Sequence, residues 1–208
     1  MPGYDTLLAF FLASAIFAYM PGPAMLYATA QTLARGPRAG MMAVLGIHIG
    51  GYVHVLAATF GLAALFELVP PLYIALKLVG AAYLIWLGAQ MILTRNARIT
   101  AAPDDVQMSR RAFRQGITVE VLNPKAALFF VAFLPQFSDP AAALPIWAQL
   151  LILGTVVNLM FGSADVICVA IAHRMTRLLQ SSHRATARIK AFGGSILVGL
   201  GLTVALDR

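Results

Sequence analysis

Two tripeptides interrupt otherwise apolar segments of the chain, Pro21-Gly22-Pro23 and Asn123-Pro124-Lys125. Proline inside a helix removes a hydrogen bond and clashes with the preceding turn, at about 3 kcal/mol. In hydrocarbon the freed carbonyls find no water, so a break is tolerated only where protein or a wet cavity satisfies them. Asn123 is a good N-cap, and Pro124 fits the first helical position after it. The spacing predicts a half-helix starting at 123–125 and a second at 21–24. A half-helix N-terminus offers free N–H groups and a partial positive charge, which suit a carboxylate. Lys125 places a full positive charge at the same end. It repels the dipole and needs an anionic partner: a ligand carboxylate, Glu120 or Asp165. The plainer alternative is that the prolines only kink packed helices.

Further polar groups lie within apolar segments: His48, His54, Glu120, Asn158 and Asp165. Ionisable groups there are expensive and face a cavity or a partner. Glu120, Asp165 and His54 are the candidates for carrying a proton, since a buried carboxyl favours its neutral form. The structural alternatives are an Asp165–Lys125 ion pair, an Asp165–Asn158 hydrogen bond, and a neutral His54 donating to a main-chain carbonyl. His48 and His54, six residues apart, do not share one helix face well. The single cysteine, Cys168, allows no internal disulfide and no CxxC metal site, and reads as a small buried hydrophobe. There is no GxxxxGK[ST] loop, no HExxH and no GxSxG. Neither an enzyme, a metal site nor a cofactor is expected.

Composition fixes what must position these residues. The 208 residues are 60% hydrophobic and 11% charged, with a mean hydropathy of +0.81. A soluble domain of that length cannot hide so much apolar surface. Several mostly apolar segments are long enough to cross ~30 Å of hydrocarbon. The expected fold is all-α, a polytopic membrane protein of six spans, at about 6–33, 39–68, 73–93, 112–137, 144–172 and 189–206. The runs are continuous rather than alternating, which argues against a β-barrel. The N-terminal stretch has no basic region ahead of its apolar residues and reads as a first span rather than a cleaved signal.

The net charge of +7 is a matter of topology, not of nucleic acid. Twelve of the fifteen Lys and Arg fall in alternate connections: Arg35 and Arg38, then Arg95, Arg98, Arg110, Arg111 and Arg114, then Arg174, Arg177, Arg184, Arg188 and Lys190. The other two connections carry Glu67 and Asp139 and no Arg. The positive-inside rule makes the Arg-bearing connections cytoplasmic and places both termini in the periplasm.

The chain also repeats itself. From Lys77 and from Lys190, five residues match at fixed spacing: Lys77/Lys190, Gly80/Gly193, Leu84/Leu197, Leu87/Leu200 and Gly88/Gly201. PGPAMLY (21–27) aligns with NPKAALF (123–129), a breaker followed by Ala, an apolar residue, Leu and an aromatic. Residues 1–208 thus form one membrane domain with halves at about 1–95 and 109–208. Each half has three spans, with helices 1 and 4 broken. An odd number of spans inverts the second half, an architecture of secondary transporters. Gly46 and Gly50 form a GxxxG pair, which reads as close packing inside the bundle.

The motifs resemble the LysE/RhtB family of bacterial amino-acid exporters. The resemblance rests on residues 21–40, 46–62, 76–88 and 113–137, and more weakly on 193–202. It implies a multi-pass inner-membrane protein that exports amino acids or close analogues in exchange for protons. Pro21, Gly22, Pro23, Asn123, Pro124 and Lys125 match the family's signature motifs and are the expected substrate-binding set. Glu120 departs from the pattern, and the fifth span matches only loosely. Two other readings compete: an exporter of a metal cation or other small solute, using Asp165, Glu120 and His54, and a membrane assembly factor without transport. The expected partners are a small-molecule substrate and the lipid bilayer. The oligomeric state stays open, a homodimer being one arrangement.

Overall fold

A computed structural model of the chain describes residues 2–61, 70–93, 105–179 and 183–206, and all its regular elements there are helical. Helix α1 spans Tyr4–Tyr19 and α2 spans Pro23–Arg35. Helix α3 spans Pro37–Thr59 and α4 spans Pro70–Leu93. Helix α5 spans Asp105–Val121, and the short α6 spans Pro124–Leu128. A π turn over Phe129–Phe133 and a 3₁₀ turn over Leu134–Phe137 follow α6 directly. The chain closes with α7, Ile146–Leu179, and α8, His183–Leu206.

By length and composition, α3 and the stretch Ile146–Met175 of α7 can each cross a bilayer. Two bent pairs qualify as well if each is one span: α1 with α2, bent by 42°, and Gln107–Val121 of α5 with Pro124–Phe137, which is α6 and the two turns after it, bent by 44°. The apolar parts of α4 and α8, Leu78–Leu93 and Ala191–Leu206, are shorter. Helix α1 is apolar on both sides, in keeping with lipid on one of them. Leu8, Leu12 and Ile16 are exposed on one face, and Phe10, Ser14 and Ala18 are buried on the other, each series at a spacing of four.

The boundaries differ from the sequence expectation in two places. The second span was expected to run from 39 to 68, but α3 stops at Thr59 and the chain turns through Gly61 at φ +77°. That φ favours glycine and ends the helix; residues 62–68, with Glu67, lie outside the described region. Arg110, Arg111 and Arg114, expected in the third connection, are within α5, while Arg95 and Arg98 lie outside the described region. A sharp corner joins α2 to α3. Gly36 there has φ +92° and ψ 174°, a conformation open essentially only to glycine, and its N–H donates to the Thr32 carbonyl.

Glycines set the helix crossings. A Cβ on Gly46 would collide with the Phe113 carbonyl, and one on Gly50 would sit 2.9 Å from the Ile117 carbonyl. From the other side, a Cβ on Gly116 would lie 2.5 Å from the Ala43 carbonyl. The GxxxG pair thus seats α3 against α5 within one chain. Helices α4 and α8 meet in the same way. A Cβ on Gly88 would press on the Gly194 carbonyl and Val198, and one on Gly201 on the Ala81 carbonyl and Ile85. Each set of contacts is the other displaced by the offset that separates Lys77 from Lys190.

Two apolar clusters fill the bundle. One gathers Tyr27, Ala43, Ile47, Leu84, Leu87 and Leu197; the other gathers Phe10, Val55, Phe129, Phe130, Leu134 and Val157. Tyr27, fully buried, donates its hydroxyl to Gln115 Oε1 at 3.1 Å, tying α2 to α5.

Candidate functional site

Both breaks form where proline starts a new helix. Helix α1 ends at Tyr19, and α2 begins with Pro23 behind Gly22, which supplies no side-chain cap. The first N–H groups of α2 therefore have no helical acceptor. Helix α5 ends at Val121, and α6 begins with Pro124 behind Asn123. Here the cap is built in, because Asn123 Oδ1 accepts the Lys125 N–H at 3.1 Å. The two helix starts thus differ, and the N–H groups at α2 are the less satisfied of the two.

The breaks border one small polar cavity. Gly22, Glu120, Asn123, Lys125, Asn158 and Asp165 line it, with His48, Phe161 and the apolar Ala18, Met25 and Ile47. Its volume, measured with a water-sized sphere, is about 20 Å³. That admits a water or two, not an amino acid. Of the six residues at the breaks, Gly22, Asn123 and Lys125 line the cavity, and the three prolines shape the backbone behind it.

Glu120 and Asp165 are both buried, at 2% and 4% exposure, and both line the cavity. Asn123 Nδ2 donates to Glu120 Oε2 at 2.9 Å, so one amide caps α6 and holds the acid. His54 is absent from the cavity wall. Its Nε2 lies 2.7 Å from the Glu120 main-chain oxygen, and its ring stacks on Phe130 with centroids 6.0 Å apart. The carbonyl can only accept, so Nε2 carries the hydrogen. Asn158 does not bond Asp165; its Nδ2 donates to the His48 carbonyl at 3.0 Å.

Lys125 meets partners that the sequence did not indicate. Its ammonium donates to the Phe17 carbonyl at 2.8 Å and to the Met20 carbonyl, at the end of α1. It also lies over the Phe17 ring, 4.8 Å from the centroid, and 5.9 Å from that of Phe161. The expected pairing with Glu120 or Asp165 is replaced by main-chain carbonyls and ring faces. The physical reason is the break itself: the last carbonyls of α1 lack helical donors and carry the negative end of its dipole.

Phe17 and Phe161 are site residues that the sequence did not single out, whereas His48, noted there as a polar group within a span, does line the cavity. For Phe161 a signal existed. Asn158, Phe161, Gly162 and Asp165 recur at i, i+3, i+4 and i+7, one polar-edged face of α7, and all four line the cavity. A second, basic recess of about 640 Å³ is lined by Arg35, Arg110, Arg111, Arg114, Gln107 and Gln115.

Apolar helices bent around a buried ionisable cavity define a membrane protein with a polar site at its broken helices. The family model for LysE type translocators matches residues 15–208, and the chain belongs to that family. It is 33% identical over 204 residues to an uncharacterized membrane protein of Vibrio cholerae, covering 95% of each chain. It is 30% identical to a homoserine/homoserine lactone efflux protein of Salmonella typhimurium, over 99% of this chain and 98% of the relative. A leucine efflux protein of Salmonella choleraesuis is 34% identical over 134 residues, 64% of this chain and 63% of the relative. No solved structure matches.

Proposed function

We propose that the protein is a secondary transporter that exports an amino acid or close analogue across the bacterial inner membrane by exchange for protons. The observation that carries this reading is the cavity itself. It places a lysine, two buried carboxyls and the ends of two broken helices around one small cavity. Such groups are expensive in hydrocarbon and mark a substrate or ion path. The efflux roles printed for the Salmonella relatives point to amino acids and a close derivative.

The substrate carboxylate is placed at the open N–H groups of α2 and at Lys125, and its ammonium at carbonyls freed by the breaks or at an acid. Glu120 and Asp165 are the acids that bind the exchanged proton. His54, held against the Glu120 carbonyl, stands next in line. The fold reading is six spans in two inverted halves that rock about the cavity, with both termini periplasmic. The reciprocal contacts of Gly88 and Gly201 support a two-fold relation between the halves. Under this orientation the basic recess opens to the cytoplasm, where its four arginines raise the local concentration of carboxylates.

Uptake of labelled leucine and homoserine into inverted membrane vesicles, with and without an acid interior, tests the proposal. Accumulation that requires both the protein and the pH gradient supports it. Equal uptake by vesicles lacking the protein removes it.

A further inference from the structure

The surroundings of the Lys125 ammonium are those of a bound cation. Two carbonyls from the frayed end of α1, Phe17 O and Met20 O, accept its hydrogens. The ring of Phe17 lies under it, and that of Phe161, from α7, lies alongside. Carbonyls at a helix C-terminus and aromatic faces are a general receptor for a primary ammonium. Two separate elements, the end of α1 and the middle of α7, build this cage, and the cation itself arrives from a third, α6.

The path of the lysine is equally specific. Its stem passes Gly22 so closely that a Cβ there would lie 2.7 Å from Lys125 Cδ and 3.4 Å from Nζ. Gly22 at φ −146° needs no glycine for its backbone, so the missing side chain is needed for space. With the lysine in place the cavity has about 20 Å³ of room, too little for an amino acid. A ligand ammonium could take these carbonyls only by displacing that of Lys125.

We infer that the cage of Phe17 O, Met20 O and the Phe17 and Phe161 rings is the receptor for the substrate's ammonium, and that Lys125 is a tethered surrogate occupying it until substrate arrives. The ligand class is a primary ammonium, and its identity as an amino acid rests on the export reading above. On arrival the substrate's ammonium takes the carbonyls. The displaced Lys125 Nζ, still tethered beside the cavity, then meets the substrate's carboxylate. Glu120 and Asp165 line the same space and receive Lys125 on its way out. The lysine that closes the empty site becomes the one that binds the full one.

The test separates the two ends of the substrate. Purified protein in lipid nanodiscs is titrated at pH 7 with 3-methylbutylamine, which is leucine without its carboxylate, and with 4-methylpentanoate, which lacks the ammonium. Lys125→Ala vacates the cage and should bind the amine roughly tenfold or more tighter than the parent, while the acid gains nothing. Gly22→Ala keeps the lysine but pushes its stem out of the notch, and should also gain amine affinity. This second variant decides the matter if Lys125→Ala does not fold. Phe17→Leu or Phe161→Leu, placed in whichever variant binds, should lower amine affinity roughly threefold to thirtyfold. Amine affinity equal to the parent's in both folded variants would make Lys125 a fixed strut and overturn the inference. Binding needs no transport, so the cage can stand if export fails, and export can stand if the cage fails.

Discussion

Replacing Asn123 by alanine removes one buried and one half-buried hydrogen bond at once, and their separate sizes can be worked out. The Oδ1 bond to the Lys125 N–H, at 3.1 Å, is an N-cap, and such caps are worth about 1 kcal/mol. The Nδ2 bond to Glu120 Oε2, at 2.9 Å, serves a carboxyl that is 98% buried by its 2% exposure. Removing a donor from a charged or buried acceptor costs about 1.5–3 kcal/mol. Asn123→Ala should therefore lose about 2.5–4 kcal/mol, the two terms taken together. Asn123→Ser keeps a capping oxygen but cannot reach Glu120 as the amide does, so it should recover about 1 kcal/mol of that loss and no more. Equilibrium denaturation in detergent micelles reads these differences, and transport reads the functional one. A stability for Asn123→Ala within about 0.5 kcal/mol of the parent would refute the double role, because that is the range of neutral surface changes. Equal losses for the Ser and Ala variants would show that the cap contributes nothing.

Three further outcomes are expected. His54→Phe keeps a ring against Phe130 but loses the donor to the Glu120 carbonyl; that carbonyl also accepts the Asn123 N–H at 3.0 Å, so the loss should be near 1 kcal/mol in thermal unfolding. If His54 is held structurally in this way, the response of transport to a pH gradient stays unchanged in that variant. Gly51→Ala puts a methyl on Asn158 Oδ1, so the amide must give up its bond to the His48 carbonyl; a loss of about 1–3 kcal/mol is expected, largely recovered in Gly51→Ala with Asn158→Ala. Reporter fusions after residue 207 should behave as periplasmic and fusions near residue 103 as cytoplasmic, and the reverse pattern would overturn the orientation.

The breaks were legible because proline announces itself. Pro23 and Pro124 both stand in the first turn of a new helix, where the missing N–H is harmless. The role of the GxxxG pair was legible too, since close approach is what two glycines one turn apart permit. The partner of Lys125 was not. The sequence showed a cation and two nearby acids, and local electrostatics favoured pairing them. The carbonyls that hold it belong to residues 108 and 105 positions away, and no periodicity reports where a helix end will lie across a bundle. The polar face of α7 was half read. Asp165 stood out by charge, while Phe161 was lost among other aromatics although it sits one helical turn before it. The end of α3 was missed because apolar residues continue past Thr59, and the glycine at 61 was outweighed by their run.

The central claim is that the cavity couples one amino acid to a proton through Glu120 or Asp165. Purified protein in vesicles with an acidic interior should accumulate labelled leucine or homoserine against its gradient and collapse that accumulation when the pH difference is dissipated. Glu120→Gln or Asp165→Asn should lose the accumulation yet still exchange labelled for unlabelled substrate across the membrane. If both variants concentrate substrate as the parent does, the proton does not pass through these acids, and the account of the cavity is wrong.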